Sequence, residues 1–105
     1  MNRETIIRFH LDDLKIGYEL AEIAKNSFLQ DYVKNQFDVV KNNYNFDFFT
    51  DFDLVFAYAV DLVLFIKISK IINDSENKDY FYSRLRELCN EYPKLLEENE
   101  VREVL

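Results

Sequence analysis

The chain holds one glycine (Gly17), one proline (Pro93), one cysteine (Cys89), one histidine (His10) and no tryptophan in 105 residues. Each scarcity removes a class of structure or chemistry. An all-β fold needs turn residues every few positions, so one Gly and one Pro in the whole chain point to long helices and few sharp turns. A single glycine leaves no room for a glycine-rich phosphate loop. One cysteine closes no internal disulfide, and with one histidine it furnishes no zinc site of thiolates and imidazoles. No metal or other cofactor is expected. Basic residues are in deficit as well: 13 Lys and Arg face 20 Asp and Glu, a net charge of −7. No segment gathers Lys and Arg into a stripe, so nucleic acid is not an expected partner.

What is abundant is core material. Hydrophobic residues make up 49% of the chain and aromatics 16%, as ten Phe and seven Tyr. A chain of this size buries roughly two thirds of its unfolded surface, which suits one domain over residues 1–105. The most apolar stretch, LVFAYAVDLVLFI from Leu54 to Ile66, is too short to span a bilayer, carries Asp61 at its middle and runs into Lys67 and Lys70. It reads as a buried helix. Ile6 and Ile7 are quickly followed by Arg8 and His10, so no secretory leader is expected and a cytoplasmic location is.

Apolar periodicity predicts the elements. Ile7, Leu11, Leu14, Tyr18 and Ala21 recur every three or four residues and form one face of a helix from about Arg3 to Lys25. A rival reading takes Thr5–Leu11 as a strand, with Asp12 capping a later helix. It lacks a second alternating run to pair with. Asn26 or Ser27 caps a second helix, Phe28 to about Lys41, with Phe28, Leu29, Tyr32, Val33, Phe37 and Val40 as its stripe. Asn42–Asn45 is the expected connection. Thr50 or Asp51 caps a third helix that runs to about Ile72 and is apolar on nearly every side. Asn73–Asn77 is the next expected loop. A fourth helix follows from about Lys78 to Glu91, where Pro93 ends it and opens a short fifth helix. The expected fold is all-α, a single compact bundle of four to five helices around the hydrophobic third.

A search for catalytic groups finds no constellation. Cys89 sits among apolar positions far in sequence from His10, which makes it a small core residue rather than a nucleophile. His10 has Asp12 and Asp13 nearby, but on other helical faces, and is expected at the surface or near a cap. Asp51-Phe52-Asp53 has the opening of a calcium loop without the glycine or the later ligands. Glu19 with Glu22 and Glu87 with Glu91 share helix faces without the His a carboxylate metal bundle adds. The chain is expected to be no enzyme.

The acidic excess is uneven. Residues 46–66 hold Asp47, Asp51, Asp53 and Asp61 with no base, and they overlap the aromatic run FDFFTDFD. An aromatic anchor ringed by carboxylates is what a desolvated contact with a basic protein uses. The candidate contact residues there are Asp47, Phe49, Asp51 and Asp53. The alternative is that these aromatics seal the end of the core while the aspartates cap a helix. LLEENE near the end of the chain, with Glu97 and Glu98, is a second acidic candidate.

In size, acidity and helix content the whole chain resembles bacterial toxin-immunity proteins, including those of contact-dependent inhibition systems and of nuclease colicins. That resemblance is of composition, without a shared motif. It implies carboxylates that mimic phosphates, draw in a cationic toxin such as a nuclease and block its active site. An anti-restriction or anti-CRISPR inhibitor uses the same physics. Abundant Asn, Lys, Ile, Phe and Tyr fit an AT-rich bacterial or phage genome. A different class of reading is a self-associating structural or regulatory module, a homodimer in which surplus aromatics form the contact face.

Overall fold

A computed structural model describes residues 1–44 and 49–105. All regular structure among them is helical: α1 (Arg3–Ile23), α2 (Ser27–Asn43), α3 (Asp51–Ile71), α4 (Ser75–Glu91), a 3-10 helix (Pro93–Glu97) and α5 (Asn99–Val104). The fold is all-α, as expected, and Thr5–Leu11 is helix rather than strand.

Two corners show how a chain with one glycine turns between helices. After α1, Lys25 takes the left-handed conformation with φ of 55°. Its N–H donates to the Glu22 carbonyl at 3.0 Å, and the Asn26 N–H donates to the Ala21 carbonyl at 3.0 Å. This pair of bonds is a Schellman motif, which satisfies the last carbonyls of the helix. Asn26 then turns to the next helix, and its side-chain oxygen accepts the Leu29 N–H at 3.1 Å as the N-cap of α2. After α3 the same device recurs. Asn73 has φ of 59°, and the Asn73 and Asp74 N–H groups donate to the Lys70 and Ser69 carbonyls at 3.3 and 2.9 Å. Asp74 accepts the Asn77 N–H at 3.1 Å as the N-cap of α4. In both corners one residue ends a helix through its backbone and starts the next through its side chain.

Three expected boundaries are corrected. α4 starts at Ser75 rather than Lys78, because Asp74 supplies a cap inside the expected loop. α2 runs through Asn42 and Asn43, with Tyr44 as its last cap, so the expected connection is partly helix. Beyond Pro93 the chain makes a 3-10 helix before a separate α5, rather than one short helix.

Within the expected span of residues 1–105, contacts gather into two compact units, Met1–Leu54 and Val55–Leu105, divided inside α3. In the first, α1 packs on α2. The buried face of α1 consists of Ile6, Ile7, His10, Asp13, Leu14, Gly17, Leu20 and Ala21. It is rotated by about one residue from the expected stripe, which leaves Tyr18 exposed and Leu11 half-buried. His10 is 1% exposed, not at the surface as expected. α2 buries only Val33 and Val40. Its apolar positions cover about half the circumference at 3.6 residues per turn, wider than one packing partner covers.

In the second unit, no residue from Val55 to Ile66 is exposed, in keeping with the apolar character of α3 on nearly every side. The fully buried rings of Phe65 and Phe81 meet tilted at 5.4 Å, and Tyr80 meets Phe81 edge-on at 5.3 Å. Leu95 of the 3-10 helix and Val101 of α5 are fully buried, which anchors an end of the chain whose other side is polar.

The corners yield a stability prediction. A Cβ in the left-handed region costs about 1–2 kcal/mol, least for Asn and nothing for Gly. Lys25→Gly is expected to stabilise the protein by about 1 kcal/mol, and Asn73→Gly by less. Urea unfolding midpoints at unchanged slope measure both.

Candidate protein-binding surfaces

The N-terminus of α3 is built by a reciprocal cap. The Asp53 N–H donates to the Thr50 hydroxyl at 3.1 Å, and the Thr50 N–H donates to the Asp53 carboxylate at 2.8 Å. This is a capping box with Asp in the place of the usual Glu. Hydrogen bonding from the Thr50 backbone first, and from its side chain second, holds the Asp53 carboxyl below the ordinary carboxylate range. Asp51, two residues earlier, pairs with Arg3 at the start of α1, with Nε to Oδ1 at 3.2 Å. The same guanidinium donates to the Tyr44 carbonyl at 3.4 Å and to the Phe49 carbonyl. An exposed ion pair is worth about 0–1 kcal/mol, and a charged donor on half-buried carbonyls about 1.5–3. Arg3 therefore acts chiefly as a fastener of the segment that leads into α3.

Three of the candidates at this end thus have local structural work. Phe49 is half-buried with its ring tilted against Tyr44 at 5.0 Å. Asp51 is exposed but shares its charge with Arg3, and Asp53 is exposed but caps a helix. Asp47, the fourth, lies outside the described residues, as do Phe46 and Phe48.

The acidic candidates of the second unit are differently placed. Glu97 is exposed at the end of the 3-10 helix, and Glu98 is half-buried where that helix passes into α5. Glu100 and Glu103 are exposed on α5, so four carboxylates lie within seven residues. The base among them, Arg102, donates to the Asn99 side-chain oxygen. Leu96, 44% exposed, stands beside Glu97. An exposed aliphatic side chain beside carboxylates is a smaller counterpart of the carboxylate-ringed aromatic anchor expected at FDFFTDFD.

A third surface was not anticipated. Between α1 and α2 runs a groove in two sections of about 450 and 390 Å³. Tyr18, Leu14, Val33 and Phe37 line the first, and Ile7, Leu11 and Phe37 the second. Phe28, at the start of α2, is 83% exposed. All of these, Phe28 included, belong to the apolar stripes expected to face a core, which hid them. The rotation of α1 and the narrow buried strip of α2 leave Tyr18 and Phe28 exposed and Leu11 and Phe37 half-buried, while Ile7, Leu14 and Val33 stay buried beneath them.

The remaining chemistry is sparse. Cys89 is 5% exposed, and burial raises its thiol pKa. Among the described residues no group of three or more His, Cys, Asp or Glu side chains is arranged to hold a metal ion. No helix among them is long and apolar enough to cross a membrane.

Two measurements check this geometry. Because the folded-state pKa of Asp53 is lowered, its charge contributes stability above the unfolded value of about 4, and this is lost as pH falls through the folded value. The stability gap between the protein and Asp53→Asn is therefore expected at neutral pH and should close in acid, as read by urea titrations across that range. Cys89 should react with iodoacetamide far more slowly in the native protein at pH 8 than in urea, since thiolate and access are both suppressed.

No protein-family model, no curated protein and no solved structure matches this chain.

Proposed function

We propose that the chain is a non-catalytic inhibitor that binds a basic protein, an immunity protein neutralising a cognate toxin such as a nuclease in the bacterial cytoplasm. The observation that carries this reading is the acidic end at Glu97, Glu98, Glu100 and Glu103, beside the exposed Leu96. A basic active site evolved for phosphates presents cations to such a surface. Carboxylates steer the encounter over a Debye length of about 8 Å at physiological salt, and the apolar edge supplies the part of the contact that desolvates. Asp51 and Asp53 play the lesser part, because Arg3 and Thr50 already hold them. The net charge of −7 supports the same choice of partner.

The test is affinity capture of the tagged protein from lysate of its source cells at low and moderate salt, with the captured proteins identified by mass. The reading expects one stoichiometric basic protein whose association slows as salt rises. Replacing Glu97, Glu98, Glu100 and Glu103 with Gln should lower its association rate at least about tenfold while the fold is kept. Recovery of the protein alone, or a partner indifferent to these four substitutions, would overturn the assignment.

A further inference from the structure

We draw no further inference here: the strongest candidate, the cluster of bases at the corner between α3 and α4, where Lys70 and Lys78 line a small cavity with Asp74 and Ser75 and Lys70 and Arg86 stand against the Tyr82 ring, rests on the N-terminus of α4 and surface cations with no second observation that points to a ligand.

Discussion

Helices cannot turn back on one another unless their terminal carbonyls and amides are satisfied, and most chains solve this with glycine. This chain solves it twice with a left-handed Lys25 or Asn73 followed by Asn26 or Asp74, whose backbone closes one helix and whose side chain opens the next. The turn is therefore three residues long. A corner that short leaves α2 little freedom relative to α1. It holds Leu14, Tyr18, Val33 and Phe37 along the same groove. The conformational penalty at Lys25 is accepted in exchange for hydrogen bonds at both helix ends.

Much of this was legible from residue order. Long helices followed from the lack of Gly and Pro, and the start of α1, the N-cap of α2 and the end of α4 lay where periodicity and capping placed them. The misreadings share a cause. NDSEN reads as a loop in the sequence, yet a polar side chain at Asp74 is what a helix needs to begin. The spacing of three and four predicts a stripe of α1 through Leu11 and Tyr18. The buried face instead takes in His10, Asp13 and Gly17. Hydrophobicity alone does not rank a helix face when polar groups are admitted to the core and a glycine allows close packing.

The candidate surfaces divide the same way. Acidic residues are easy to find in a sequence, but their work is not. From residue order Asp51 and Asp53 are the first candidates and Glu97 and Glu98 the second, whereas in the fold Arg3 and Thr50 engage the first pair. Conversely, the balance of four acids and four bases along the groove between α1 and α2 is visible only once the two helices are side by side. One chain thus carries an acidic end beside an exposed Leu96 and a charge-balanced groove with an apolar floor.

The most direct test of this division is hydrogen exchange of the protein alone and with its captured basic partner, at one protein concentration. The account predicts that the partner slows amide exchange over residues 95–105 and leaves α1 and α2 unchanged. Slowed exchange confined to residues 14–38, with the acidic end unaffected, would contradict it.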